Sequence, residues 1–106
     1  MSWLGLEAVN VLAERICEDF AKRCPAELLL ADTNARAEKK VHAALATVDS
    51  NIVTFLASND RPGLIRKAVC ANKVKWGLIE RGYPNEVAST VTQKVVLGLS
   101  LTSKKS

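Results

Sequence analysis

Between two stretches of helical periodicity the chain reads Gly82-Tyr83-Pro84-Asn85. Glycine ends a helix by taking up the left-handed conformation, proline forbids its continuation, and asparagine caps a new one. A second boundary precedes it at Asp60-Arg61-Pro62, a capping residue followed by proline in a first helical turn, where its missing N–H costs nothing. The segment from Asp60 to Leu101 therefore predicts helix, tight turn, helix. DNA readers and small protein-binding modules share that arrangement, so it bounds the function without naming it.

Upstream, apolar residues recur at three- and four-residue steps. Leu6, Val9, Ala13, Ile16, Phe20 and Cys24 predict a helix over Trp3–Cys24, with Ser2 as its cap. Ala37, Val41, Ala44, Val48, Ile52 and Phe55, joined by Leu45 and Leu56, predict a second over Asn34–Ala57, capped by Asp32 or Thr33. Leu30 carries the same period backwards, so this helix alternatively starts near Ala26 and runs unbroken, at a length of roughly 48 Å. The third predicted helix covers Pro62–Arg81, with Leu64, Ile65, Ala68, Val69, Trp76 and Ile79 inward and Asn72 in the same sector. Arg66, Lys73 and Arg81 share its opposite face, flanked by Lys67 and by one acid, Glu80. The fourth covers Asn85–Gly98, with Val87, Ala88, Val91 and Val95 inward. Beyond it Leu97, Leu99 and Leu101 alternate with Gly98, Ser100 and Thr102, a strand period that offers an extended tail as the alternative to helix.

The expected fold is all-α: one four-helix bundle-like domain over 1–106, a long antiparallel pair followed by a shorter helix-turn-helix pair. Residues 103–106 are expected to be a disordered tail. At 106 residues, with 48% apolar and 25% charged side chains, the chain has ordinary globular composition. No segment holds the eighteen or more apolar residues that would span a bilayer, and Glu7 interrupts the apolar N-terminus before it can serve as a signal peptide. Three cysteines, an odd number without metal-type spacing, fit a reduced cytoplasmic setting.

Charge is unevenly spread. Residues 1–32 hold three basic and six acidic side chains, and the remainder twelve basic and five acidic. This asymmetry suits nucleic-acid binding by the basic part, or an acidic helix packed beside a basic one in a dimer. Apolar surface on the first two helices and the tail exceeds what so small a monomer is expected to cover, which predicts a homodimer.

Few features suggest chemistry. With one histidine, His42, and no Cys-x-x-Cys pair, neither a metal nor another cofactor is implied. A glycine-rich phosphate loop is lacking, and Glu14 and Glu18, four apart among other charges, offer no split acid–base pair. Cys70, by helical angle among Arg66, Lys67, Lys73 and Arg81, is the one candidate reactive thiol, because nearby cations favour a thiolate. No histidine partner for it is visible, and the chain is read as non-enzymatic.

Two interaction readings follow. As a DNA reader, the chain would set Arg66, Lys67, Lys73 and Arg81 on phosphates and reach bases with Thr90, Gln93 and Lys94, among the polar residues of the last helix. Arg81 stands where an apolar residue is usual before the turn glycine, and the reading helix has no arginine. As a protein-binding module, it would present Trp76, Tyr83 and the apolar tail at Val96, Leu97, Leu99 and Leu101, with Trp3 as a terminal anchor. Both Trp76 and Tyr83 also have a plain reading as core residues. The expected partners are a second copy and an unidentified protein, with nucleic acid as the alternative and no membrane.

Overall fold

A computed structural model describes residues 6–31, 35–59 and 62–101. They form five helices: α1 Leu6–Arg23, α2 Ala26–Ala31, α3 Ala35–Ser58, α4 Leu64–Glu80 and α5 Asn85–Leu101. The all-α bundle is as expected, with one helix more than the four anticipated. The extra element is α2, the segment that Leu30 suggested as a backward extension of the next helix; residues 32–34 lie outside the described residues. Alone, α3 has 24 residues, about 36 Å at 1.5 Å per residue. It fits along the 42 Å long axis of the molecule, so its length calls for no partner.

The expected stripe of α1 is buried: Val9, Ala13, Ile16, Phe20 and Cys24 line the core, joined by Leu12 and Cys17. Glu7 in its first turn and Lys22 and Arg23 in its last complement the helix dipole. Pro25 cannot continue the hydrogen-bond ladder, and its carbonyl instead accepts the first bond of α2, from Leu28 N–H at 3.0 Å. On α3 the predicted Ala37, Ala44, Val48 and Ile52 are buried, with Val41, Leu45, Phe55 and Leu56 packed beside them.

Four helices close a ring in which α1 packs on α3 and α4, and α5 packs on the same two. Contacts give the directions. Asn51 Nδ2 donates to Asp19 Oδ2 at 2.9 Å across the antiparallel α1–α3 pair. Lys67 Nζ donates to Ser100 Oγ at 2.8 Å, joining the start of α4 to the end of α5. Cys17 Sγ–H points to the Val74 carbonyl at 3.6 Å where α1 runs parallel to α4, and Lys94 meets Asp49 at 3.3 Å where α5 runs parallel to α3.

Helix α5 continues through Leu101, which overturns the extended-tail alternative. Continuing the helix pairs the tail's backbone groups internally, where a lone strand would leave them without a ladder. It also turns Leu99 into the core with Ala88, Val91 and Val95. Gly98 allows this approach, since a Cβ there would lie 2.8 Å from Ile52 Cδ1. Helix α4 begins at Leu64, two residues later than predicted, after Gly63 as cap; Asp60 lies outside the described residues. At the other break, Pro84 supplies the carbonyl that accepts from Ala88 N–H at 3.1 Å, so Pro84 is the cap and Asn85 the first helical residue.

The Gly82 turn is a Schellman motif. Tyr83 N–H reaches the Leu78 carbonyl at 3.1 Å and Gly82 N–H the Ile79 carbonyl at 3.0 Å. Gly82 has a φ of +98°, a left-handed value that strains any residue with a Cβ. Gly82→Ala is therefore expected to lower stability by about 1–2 kcal/mol in urea unfolding. Gly63→Ala, at a φ of −73° with nothing near the new methyl, is the control and should change stability far less; equal losses at both positions would contradict a strained turn.

Candidate interaction surface

Helix α4 carries two apolar stripes. Cys70, Ala71, Val74 and Leu78 face the core and are buried. About half a turn away, Ile65, Val69, Asn72, Trp76 and Ile79 follow one another at steps of three and four along the opposite side. This corrects the inward face expected from sequence. Leu64 is 80% exposed, Ile65 61% and Trp76 53%. Ala68 and Asn72 are also exposed, while Val69 and Ile79 are half-buried.

The rotation has a physical cause. Tyr83, tied to Leu78 by the turn, is only 4% exposed. Its hydroxyl donates to the Cys24 carbonyl, and its ring meets Phe20 edge-on at 5.4 Å. Close approach of α1 also needs small residues on α4: a Cβ at Gly77 would stand 2.9 Å from Cys17 Sγ. The stripe of Cys70, Ala71, Val74 and Leu78 therefore packs, Val69 and Ile79 sit at its margin, and Ile65 and Trp76 are left outside.

On the outward stripe, Trp76 Nε1 donates to Asn72 Oδ1 at 3.1 Å. Arg66, Lys73 and Glu80 run along its α1 side, and Lys75 lies on the other. Between α1 and α4 a cleft of about 310 Å³ is lined by Asn10, Glu14, Lys73, Trp76, Glu80 and Arg81, among others. Arg81 Nη1 donates to the Gly77 carbonyl at 3.2 Å beside it.

Other anticipated contact residues do not gather here. Tyr83 and Leu99 belong to the core, which removes both from the expected contact surface. Val96 is half-buried, and Leu97, 56% exposed, points outward from α5. The side chain of Leu101, and Trp3 altogether, lie outside the described residues.

The candidate DNA contacts are dispersed. Lys94 is paired with Asp49, and Lys67 is bonded to Ser100. Thr90 Oγ1 donates to the Glu86 carbonyl at 2.9 Å, within its own helix. The exposed residues of α5 are Asn85, Glu86, Thr90, Gln93 and Leu97, and the only charge among them is acidic. Arg66 and Lys73 share one flank of α4 with Arg81 beyond them, yet the cleft that Lys73 and Arg81 line also holds Glu14 and Glu80.

Cys70 is 0% exposed, and burial pushes its thiol up to about 12 from an ordinary 9.0, with neighbouring Cys17 adding to the shift. It is a neutral core thiol, not the cation-activated one that helical angle suggested. Its neighbours on the core face are Ala71, Val74 and Leu78, and burial outweighs the cations one helical turn away. Among the described residues, no group of histidine, cysteine and acidic side chains could hold a metal ion, and no helix is long and apolar enough to cross a membrane.

Comparison with known proteins yields no likeness: no family model matches the chain, and neither a curated protein nor a solved structure does.

Burial likewise raises the Tyr83 phenol from an ordinary 10.0 to about 12. The unfolded chain then releases protons from Cys70 and Tyr83 at lower pH than the folded one does. Stability from these two groups is fully present below about pH 9 and falls as pH rises towards about 12. Tyr83→Phe should shallow the decline above about pH 10, and it should cost about 1–3 kcal/mol at neutral pH by leaving the Cys24 carbonyl unpaired. Chemical unfolding across this pH range checks both. Rapid alkylation of Cys70 in the folded chain at neutral pH would contradict its burial.

Proposed function

We propose that this chain is a small non-enzymatic interaction protein that acts as a helical homodimer, using the outward face of α4. One observation carries the reading: Ile65 and Trp76 stay more than half exposed on a helix whose other side already fills the core. Contiguous apolar patches rimmed by charge on small soluble domains mark interaction sites. Covering the exposed parts of Trp76 and Ile65 contributes about 2–3 kcal/mol, since full burial of a large side chain is worth about 1.5–3 kcal/mol. The tail no longer supports a dimer, since Leu99 is buried within the monomer.

Three free, buried thiols fit a reducing compartment such as the cytoplasm. The DNA reading draws less support, because cations at Lys67 and Lys94 are engaged within the fold and Glu86 is the charged residue among the exposed described side chains of α5. A protein surface accounts for the exposed tryptophan, and a phosphate backbone does not.

Sedimentation of the native chain and of Trp76→Lys tests the proposal. The native chain is expected to be a dimer at tens of micromolar. The variant is expected to be a monomer with unchanged helicity, and with the thermal stability the native chain shows when diluted to monomer, because Trp76 supports none of the core. A native chain that sediments as a monomer at that concentration would overturn the reading. Electrophoresis with random duplex DNA at low salt should show no retardation; retardation that weakens steeply with salt would favour the DNA alternative instead.

A further inference from the structure

We infer that two copies meet through α4 packed antiparallel on α4, with Asn72 on the two-fold axis; this rests on α4 being the docking face. The stripe is nearly palindromic about that residue. Ile65 and Ile79 each lie seven positions from Asn72, and Ala68 and Trp76 each lie four. An antiparallel crossing centred there sets Ile65 against Ile79 of the second copy. It also seats the exposed Trp76 over the second copy's exposed Ala68, a large side chain on a small one.

Charge follows the same register. A two-fold axis across antiparallel helices brings like flanks together. Arg66 and Glu80 occupy the α1-side flank, seven positions before and seven after Lys73. Each Arg66 therefore faces the other copy's Glu80, which makes two ion pairs per dimer. The two Lys73 residues meet near the axis, and each shares its cleft with Glu14 of its own α1, an acid that offsets the repulsion.

Asn72 supplies the polar element at the centre. Its Oδ1 accepts from Trp76 Nε1 and has a second lone pair for the other copy's Nδ2. A reciprocal amide pair of this kind fixes register at some cost in stability, as a lone asparagine does in a coiled coil. The stripe from Ile65 to Ile79 is about 21 Å long, which places the contact at the small end of stable interfaces. Dissociation on micromolar dilution is expected.

Two measurements test this register. Asn72→Cys should give a disulfide-linked dimer under mild oxidation, while Gln93→Cys on exposed α5 and the native chain, with its thiols buried, should not. In sedimentation, Arg66→Glu and Glu80→Arg should each weaken association at least about tenfold, and the double exchange should restore it to within about threefold, with the helicity of all variants unchanged. A native dimer in which Asn72→Cys fails to link and the double exchange fails to rescue overturns the register while leaving α4 as the docking face. A monomeric native chain overturns both.

Discussion

The left-handed turn at Gly82 and the tyrosine that follows it set the rest of the structure. Tyr83 N–H closes the end of α4, its ring packs on Phe20, and its hydroxyl reaches the carbonyl of Cys24 at the end of α1. Together these contacts join α1 to α4 at one end of the bundle and leave α4 little freedom to rotate. A helix held at its last turn presents a fixed side along its whole length. The position of Trp76 in solvent is decided about two turns away, by a residue that does not touch it.

Much of the fold is legible in the sequence because three helices each carry one dominant apolar stripe. Val9, Ile16 and Phe20 on α1, Val48 and Ile52 on α3, and Val91 and Val95 on α5 repeat at helical steps, and all are buried. Helix α4 carries two. Periodicity weights side chains by size, so Ile65, Val69 and Trp76 outweigh Cys70, Ala71 and Val74. Packing weights them by fit: α1 approaches at Gly77 closely enough that a methyl group would collide with Cys17. Small residues spaced along the weaker stripe were the signal, and they are distinguishable from filler only once a neighbouring helix is in place.

The same limit applies to charge. Helical angle alone groups Cys70 with Arg66, Lys67, Lys73 and Arg81, whereas in the bundle the thiol is sealed inward and Lys67 bonds to Ser100. Lys94 looks like a free cation in sequence and is paired with Asp49, 45 positions upstream. Local spacing reports what lies on one helix. It does not report what the next helix takes from it, and a surface is defined by what is left over. The outward stripe of α4 is legible only by subtraction, after the core is assigned.

The ring of contacts also divides the chain into two helical hairpins, α1 with α3 and α4 with α5. Each hairpin pairs its helices antiparallel, and the two stack with α1 along α4 and α3 along α5. Contacts within a hairpin are comparatively local, but those that join the hairpins link distant positions, as Cys17 to Val74 and Tyr83 to Cys24 do across 57 and 59 residues. Neither hairpin covers its own apolar stripe without the other. Folding therefore ends in a docking step that must close long loops before it gains the central core, and a bundle of this topology folds more slowly than helix content alone implies.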